Sequence, residues 1–82
     1  MITIYSKINC PYCVQAKALL DSLGAPYANV DLTNDQEKLI ALSEKSGLFT
    51  VPQIFVDDEC LGGFTDIQRL HQEGKLVPLL KL

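Results

Sequence analysis

The chain has 82 residues, of which 48% are hydrophobic and 21% are charged. This length and composition predict a single packed domain, residues 1–82, and exclude a disordered or highly solvated chain. Ten acidic and seven basic side chains leave a net charge of -3. That charge disfavours nucleic acid and anionic lipid as partners, because no basic field attracts them.

The sequence contains no apolar run that approaches the roughly 20 residues of a membrane-spanning helix. Its first residues alternate between apolar and polar side chains and do not resemble a signal peptide. We therefore expect a cytoplasmic protein that does not contact membranes. The chain has three cysteines, and because cytoplasmic thiols are kept reduced, a close cysteine pair is expected to be catalytic or metal-binding.

Hydrophobic periodicity predicts seven elements. Ile2 and Ile4 alternate with Thr3 and Tyr5, the period of a half-buried strand, whereas apolar residues after Pro11 recur at helical spacing. The predicted elements in chain order are a strand at 2–5, a helix from Pro11 to a stop at Gly24, a strand at 27–31, a helix that ends at Gly47, strands at 53–57 and 59–61, and a helix that Gly74 closes.

Two capping-box patterns predict where the later helices begin. Thr33 is followed three residues on by Gln36, and Thr65 by Gln68, the spacing at which two side chains satisfy free N–H groups of a first turn. The two strands between these helices are too close for a crossover, so we expect an antiparallel hairpin. The order β-α-β-α-β-β-α predicts an α/β fold with one mixed four-stranded sheet flanked by three helices.

A further apolar group follows the last predicted helix. Val77, Leu79 and Leu80 are expected to tuck the end of the chain back onto the fold.

The pair Cys10 and Cys13 is the strongest chemical signal in the chain. Cys10 lies where a helix begins, and unpaired N–H groups there, with a nearby cation such as Lys7, lower the pKa of a thiol. Pro11 is well placed in a first turn. Cys13 lies almost one turn further on the same face. This arrangement predicts Cys10 as the attacking thiolate and Cys13 as the resolving thiol.

Two other interpretations of the cysteine pair stay open at this point. A metal site needs two more ligands, for which the chain offers Cys60 and His71 without a second close pair. A purely structural pair is the third interpretation. The redox interpretation is favoured over both, because C-x-x-C in a cytoplasmic protein is typical of redox motifs.

Several other polar residues receive no function from the sequence. Cys60 is interpreted as a small buried hydrophobic residue, and His71 as a surface or half-buried histidine. The acidic run Asp57, Asp58 and Glu59 is interpreted as a solvated turn.

Three spaced segments resemble one known family. Cys10-Pro11-Tyr12-Cys13 is similar to the active-site tetrapeptide of the dithiol glutaredoxins, within the thioredoxin superfamily. Thr50-Val51-Pro52 matches the family's TVP segment, and residues 62–66 match its GG-x-x-D segment. The resemblance covers nearly the whole chain. One departure is Phe64, which stands where the family often has Cys.

The resemblance implies a thioredoxin-like fold and a glutathione site. Pro52 would be cis, and the backbone of Val51 would pair with the cysteine residue of glutathione as a short added strand. Lys7, with Gln36 and Lys38 as further candidates, would meet the glycyl carboxylate. The implied glutathione-binding residues are Lys7, Tyr12, Thr50, Val51, Pro52, Gly63, Phe64, Thr65 and Asp66.

The resemblance also implies the reaction. Cys10 alone would reduce protein–glutathione mixed disulfides, and Cys10 with Cys13 would reduce protein disulfides, with glutathione as a co-substrate. No bound cofactor and no metal are expected. The implied partners are glutathione and glutathionylated or disulfide-bonded proteins, with ribonucleotide reductase among the candidates. We expect a monomer.

Two rival functions share the fold. A small redoxin recharged by thioredoxin reductase would serve ribonucleotide reductase, but such proteins usually end in a Trp-Ser-Gly-Phe type of segment, and this chain has no Trp. A non-enzymatic carrier would hold a [2Fe-2S] cluster between two subunits through Cys10 and glutathione. Pro11 disfavours that function by stiffening the loop.

Overall fold

The chain folds into alternating strands and helices, followed by a hairpin and two helices. The computed structural model of the protein describes residues 1–81. The elements in chain order are β1 (Ile2–Ser6), α1 (Pro11–Ser22), β2 (Tyr27–Asp31), α2 (Gln36–Ser46), β3 (Gln53–Val56), β4 (Glu59–Gly62), α3 (Phe64–Gln72) and α4 (Leu76–Leu80). The predicted order is confirmed through α3, and α4 is an addition.

The four strands form one mixed sheet in the order β2-β1-β3-β4. β1 and β2 are parallel, and α1 lies between them in the chain, as a crossover between parallel strands requires. β3 is antiparallel to both β1 and β4. The chain turns from β3 to β4 at Asp57 and Asp58. The predicted mixed sheet and its hairpin are therefore confirmed.

Apolar side chains cover both faces of the sheet, because successive residues of a strand point to opposite sides. Ile4 and Ile54 belong to one buried cluster with residues of α1, α3 and α4. Phe55 belongs to a second cluster with Leu39 and Leu42 of α2. Each fully buried side chain of this size contributes roughly 1.5–3 kcal/mol. The central strands β1 and β3 are held from both sides.

The pairing of the central strands determines which loops meet. Tyr5 is paired with Gln53, so the chain leaves β1 next to the point where it enters β3. Ile54 is paired with Gly62, which brings the end of β4 to the same edge. The loop 7–10, the segment 48–52 and the start of α3 consequently lie at one edge of the sheet.

Helix α2 begins later than the capping-box pattern predicts. Its N-cap is Asp35, whose carboxylate accepts a hydrogen bond from the Lys38 N–H at 3.1 Å. Thr33 bonds to Asp31 instead, through both its N–H and its hydroxyl. The prediction of Thr33 as the cap was wrong, because Asp35 is an equally good capping residue that lies closer to the helix.

Helix α3 begins earlier than predicted. Its N-cap is Gly63, so that Thr65 lies within the first turn and does not cap the helix. The Asp66 carboxylate accepts a hydrogen bond from the Gly63 N–H at 2.9 Å, which is the returning half of a capping box. The prediction of Thr65 with Gln68 was therefore wrong by two positions.

The tail forms a short fourth helix, so the prediction of three flanking helices was incomplete. Leu76 and Leu80 are buried against the first apolar cluster, whereas Val77 and Leu79 are exposed and do not tuck inward as expected. Pro78 is the third residue of α4, a position where its missing N–H has no partner in the helix. Within residues 1–81, no helix is long and apolar enough to cross a membrane.

Candidate functional site

Cys10 ends the loop after β1 and forms the N-cap of α1. Its backbone is extended, and its Sγ accepts a hydrogen bond from the Cys13 N–H at 3.1 Å. Pro11 follows at the start of the helix, where its missing N–H costs no hydrogen bond. The Cys10 sulfur therefore lies at the positive end of the helix dipole, where a negative charge is stabilised.

The two cysteines differ in their access to solvent. Cys10 is half-buried, whereas Cys13 is 1% exposed. The structure joins them in a disulfide, with their Cα atoms 5.2 Å apart; the usual range for disulfides is roughly 4.4–6.8 Å. A partner in solvent can contact the Cys10 sulfur, while Cys13 is placed to exchange with Cys10.

A hydrogen-bonded chain holds the loop in front of Cys10. The Ile8 N–H donates to the Thr33 hydroxyl oxygen at 2.8 Å, and that hydroxyl donates in turn to the Asp31 carboxylate. The Thr33 N–H donates to the same carboxylate oxygen at 2.8 Å. These bonds from Thr33, the hydroxyl first, hold the pKa of Asp31 below its ordinary value of 3.8. The end of β2 thus helps to fix the loop that carries Cys10.

Cys10 and Cys13 line a hollow of about 550 Å³ together with Lys7. Lys7 is half-buried, and Lys17 of α1 brings a second cation to the same hollow. Lys7 therefore shares a surface with Cys10. The residues that line this hollow are Lys7, Ile8, Asn9, Cys10, Pro11, Cys13, Val14 and Lys17.

A second, smaller hollow, which we call the groove, lies where the three recognised segments meet. Its volume is about 350 Å³. Of the nine residues that the resemblance implies for glutathione, all but Lys7 line it, and Leu48 is an addition. The residues of the groove are Tyr12, Leu48, Thr50, Val51, Pro52, Gly63, Phe64, Thr65 and Asp66.

The segments Thr50–Pro52 and Gly62–Asp66 approach each other closely across the groove. The Val51–Pro52 peptide bond is cis, as the resemblance implies. A Cβ atom at Gly63 would lie 3.3 Å from the Pro52 carbonyl oxygen, so a larger residue there would require the Pro52 backbone to shift by a few tenths of an ångström. Within residues 1–81, the turn and loop hydrogen bonds between backbone groups include none from the Val51 N–H or to its C=O.

The first turn of α3 brings donors and one carboxylate to the groove. Gly63 has no side-chain oxygen, so it leaves the N–H groups of Phe64, Thr65 and Asp66 without a capping side chain. One oxygen of Asp66 accepts from the Gly63 N–H, and the other lies 3.9 Å from an Arg69 guanidinium nitrogen. Asp66 is thus positioned by two contacts and remains half-buried at the edge of the groove.

Gln36 and Lys38 are the two further candidates for the glycyl carboxylate. Both side chains are exposed in the first turn of α2. They line neither the groove nor the hollow at Cys10. Of the three candidates, only Lys7 lines the hollow that contains Cys10.

The remaining polar residues lie away from the groove. Cys60 is half-buried in β4, not fully buried as expected, and burial raises the pKa of its thiol. His71 is exposed on α3. Asp57 pairs with Lys81 at 3.3 Å, consistent with a solvated turn. Within the described range, 1–81, no three His, Cys, Asp or Glu side chains converge on a possible metal position.

Gln53 is a buried polar residue that contacts the segment lining the groove, and the sequence did not reveal it. Its side chain is fully buried, and its amide nitrogen donates to the carbonyl oxygens of Leu48 and Thr50, each at 2.9 Å. The signal that could have found it is a polar residue inside the apolar run of β3. Because polar side chains are rarely buried without hydrogen bonds, such a position predicts nearby buried carbonyl groups.

Comparison with known proteins places these features in one family. Residues 2–61 match the sequence model of the family described as Glutaredoxin. The chain is 42% identical over 80 residues to glutaredoxin 3 of Escherichia coli strain K12, which covers 98% of this chain and 96% of that protein. It is also 42% identical over 82 residues to glutaredoxin 1 of Rickettsia typhi, which covers 98% of this chain and 79% of that protein. The chain belongs to the glutaredoxin family.

A solved structure supports the same assignment. The buckwheat glutaredoxin, crystallised as a complex with glutathione, superposes with a TM-score of 0.92 at 35% identity, covering 98% of this chain and 76% of that one. The expected thioredoxin-like fold is therefore confirmed. The protein is a glutaredoxin with a dithiol active site at Cys10 and Cys13, and a glutathione-dependent thiol-disulfide oxidoreductase.

Proposed function

We propose that the protein reduces protein–glutathione mixed disulfides through Cys10. The Cys10 thiolate attacks the glutathione sulfur, the mixed S–S bond breaks, and the substrate sulfur leaves as a thiolate that takes up a proton. Cys10 then carries glutathione. A second glutathione, as its thiolate, attacks the glutathione sulfur of that adduct, which releases glutathione disulfide and restores the Cys10 thiolate.

The thiolate form of Cys10 is supported by the start of α1. The Cys13 N–H already points at the Cys10 sulfur, and such N–H groups at a helix N-terminus stabilise negative charge. Lys7 lines the same hollow and contributes a positive charge. Both features favour the nucleophilic form at neutral pH.

The groove is the proposed glutathione site, and it is the observation that carries the proposal. Residues from the three recognised segments line it together, although they are far apart in the sequence. Glutathione would extend along Val51, exchanging hydrogen bonds with its N–H and C=O as a short added strand. Tyr12 lines the groove, and its ring stacks on that of Phe64, another lining residue. The glutathione complex of the buckwheat relative supports this use of the fold.

The charges around the site complement those of glutathione. The N–H groups of Phe64 and Thr65 would bind the γ-glutamyl carboxylate at the start of α3. The Asp66 carboxylate would meet the neighbouring ammonium, and Lys7 the glycyl carboxylate. Each of these three roles can be tested separately by substitution.

Protein disulfides require the second cysteine. Cys10 would form a mixed disulfide with the substrate, and the Cys13 thiolate would displace the substrate from Cys10, leaving the Cys10–Cys13 disulfide. Two glutathione molecules then reduce that disulfide to the dithiol and leave as glutathione disulfide. The burial of Cys13 supports this division of roles, because a large substrate cannot reach its sulfur directly.

We further propose a monomeric single domain that works in the cytoplasm, where glutathione maintains reducing conditions. Its protein partners would be glutathionylated or disulfide-bonded proteins, with ribonucleotide reductase among them. These assignments extend the family's chemistry to this chain.

The deciding experiment compares two serine variants in a coupled assay with glutathione and glutathione reductase. Cys13→Ser should retain reduction of a glutathionylated peptide and lose reduction of a protein disulfide, whereas Cys10→Ser should lose both. Equal losses in the two variants would contradict the assigned roles. Replacing glutathione and its reductase with thioredoxin reductase should give no turnover, and efficient turnover in that arm would favour the redoxin function instead.

A further inference from the structure

We infer that Gln53 is a positioning residue that orients the Val51 backbone toward glutathione. The inference rests on the glutathione site proposed above and adds a residue that lies outside the groove. Gln53 is the first residue of β3 and directly follows Pro52. Its side chain is 0% exposed and does not line the groove, so it acts on a ligand only through its neighbours.

The Gln53 amide donates two hydrogen bonds to the segment that forms one side of the groove. Its Nε2 lies 2.9 Å from the carbonyl oxygen of Leu48 and 2.9 Å from that of Thr50. A primary amide has two N–H donors, and both are used here. The opposite orientation would place Oε1 against two carbonyl oxygens, so these contacts determine which end of the amide faces the segment.

The bond to Thr50 fixes the direction of the next N–H group. Thr50 and Val51 share one peptide unit, in which the C=O and the N–H point in opposite directions because the unit is planar and trans. The Thr50 carbonyl points inward to the buried Gln53 amide. The Val51 N–H is consequently turned away from the interior, the direction from which a ligand main chain in the groove would approach.

Packing holds the end of this segment, where Pro52 is buried and Val51 contacts the second apolar cluster, whereas its start is held by hydrogen bonds. The Leu48 N–H donates to the Ser46 hydroxyl oxygen at 3.1 Å, and the Leu48 carbonyl accepts from the Gln53 amide at 2.9 Å and from the Ser46 hydroxyl at 3.5 Å. Phe49, the bulkiest residue of the segment, is 74% exposed. Since the ring contributes little buried area, loss of the Gln53 bonds would loosen the backbone from Leu48 to Thr50, and with it the peptide unit that carries the Val51 N–H.

The chemistry of the Gln53 side chain supports a positioning role. Its Oε1 is buried and has no hydrogen-bond partner within residues 1–81, a situation that opposes folding. An apolar side chain of similar length would remove that unpartnered oxygen. Burial alone would favour an apolar residue at this position. The two hydrogen bonds that the glutamine amide donates to the Leu48 and Thr50 carbonyl oxygens explain its presence.

The test measures how strongly the site prefers a glutathionyl group. In a Cys13→Ser protein, Cys10 exchanges with glutathione disulfide to give the Cys10–glutathione adduct and one free glutathione. The same protein exchanges with bis(2-hydroxyethyl) disulfide, which has no peptide groups to pair with Val51. The ratio of the two equilibrium constants, measured by mass spectrometry of the Cys10 peptide, reports the contribution of the groove.

Gln53→Met keeps the length of the side chain and removes both donors. We expect it to lower the equilibrium constant for glutathione disulfide by about three- to tenfold, the range for one hydrogen bond or its alignment. The constant for bis(2-hydroxyethyl) disulfide and the alkylation rate of Cys10 by iodoacetamide should not change. An unchanged preference for glutathione in Gln53→Met would overturn the inference.

The matched control is Ser43→Ala, which removes another buried polar contact. Ser43 is 2% exposed, and its hydroxyl donates to the Leu39 carbonyl within α2. If Ser43→Ala lowers the glutathione preference as much as Gln53→Met does, the effect is a general loss of stability and the inference fails. If Gln53→Met does not fold, Gln53→Glu replaces it, because a carboxyl group can donate at most one of the two bonds.

The two proposals fail in different ways. A Cys13→Ser protein without any preference for glutathione disulfide over bis(2-hydroxyethyl) disulfide would contradict the glutathione groove itself. A clear preference that survives in both Gln53 variants would leave the groove intact and reject only the role of Gln53.

Discussion

The rings of Tyr12 and Phe64 are stacked, with their centroids 6.1 Å apart and their planes at 27°. Tyr12 lies in the first turn of α1 and Phe64 begins α3, so this contact joins two of the segments that line the groove. Phe64 also packs against the first apolar cluster. It therefore replaces the cysteine that is common in the family with a side chain that supports Tyr12.

Removing this stack should weaken both the fold and the use of glutathione. Phe64→Leu keeps an apolar side chain against the core but loses the ring, and aromatic pairs contribute roughly 0.5–1.5 kcal/mol beyond buried area. We expect a loss of unfolding free energy in that range and a KM for glutathione raised roughly two- to threefold. Phe64→Tyr retains the ring and should behave like the native protein. A KM in Phe64→Leu equal to the native value would show that the stack does not shape the groove.

Lys7 should favour the Cys10 thiolate and assist glutathione. Lys7→Ala removes a positive charge from the hollow that Cys10 lines, so the pH profile of iodoacetamide alkylation at Cys10 should shift to higher pH. The KM for glutathione should rise as well. Lys75→Ala is the charge-matched control, since Lys75 pairs with Glu73 and lines neither the groove nor the hollow. Identical profiles for the native protein and Lys7→Ala would remove Lys7 from the site.

Asp31 should stabilise the fold only above acidic pH. Hydrogen bonds from Thr33 hold the pKa of Asp31 below 3.8 in the folded state. Because the folded pKa is the lower one, the ionised carboxylate stabilises the fold above the unfolded pKa, and this contribution is lost as the pH falls through the folded pKa. Asp31→Asn should therefore lower the unfolding midpoint at pH 7, and the difference should vanish at strongly acidic pH.

Thermal unfolding of Asp31→Asn, Thr33→Val and the double variant tests whether the hydrogen bonds between Asp31 and Thr33 account for this stabilisation. Since both side chains belong to one hydrogen-bonded chain that ends at the Ile8 N–H, their effects should not add. Additive losses, or a difference for Asp31→Asn that persists below the folded pKa, would contradict it.

Cys60 should react much more slowly than Cys10. Burial raises the pKa of the Cys60 thiol, so that less of it is ionised at neutral pH, and the thiolate is the reactive form. In the reduced protein, iodoacetamide at pH 7 should label Cys10 first. Mass spectrometry of the labelled peptides after short reaction times measures this order, and equal labelling of the two residues would be evidence against it.

The sequence predicted those parts of the fold that depend on local pattern. The alternation of apolar and polar residues from Ile2 to Tyr5 predicts β1, and the short gap at Asp57 and Asp58 predicts the hairpin that the structure contains. The position of Cys10 at a helix start also follows from local signals, because Pro11 and the change of period lie next to it.

The starts of the later helices could not be predicted in the same way. Thr33, Asn34 and Asp35 are all good capping residues, and the choice among them depends on Asp31, which engages Thr33. Helix α4 is only five residues long and contains Pro78. Its formation depends on the burial of its leucines against the rest of the fold, which local propensity does not describe.

Gln53 shows why a candidate site could be predicted only in part. The residues of the three segments are recognisable in the sequence, but the two carbonyl groups that explain a buried glutamine come from a bend in the backbone. Gln53 itself is paired with Tyr5 of β1, so the position of its amide relative to that bend depends on the assembled sheet. A buried side chain that holds the backbone of the site can therefore be identified only from the folded structure.

The burial of Cys13 determines which active-site sulfur can form a mixed disulfide with a protein substrate. Of the two active-site cysteines, only the half-buried Cys10 can be joined to a bulky polypeptide, since Cys13 is 1% exposed. In Cys13→Ser, no neighbouring thiolate can displace the substrate from Cys10. The mixed disulfide therefore persists until glutathione reduces it. The immobilised variant would then serve as bait, and the polypeptides eluted from it by a reducing agent would be the cellular clients of this enzyme.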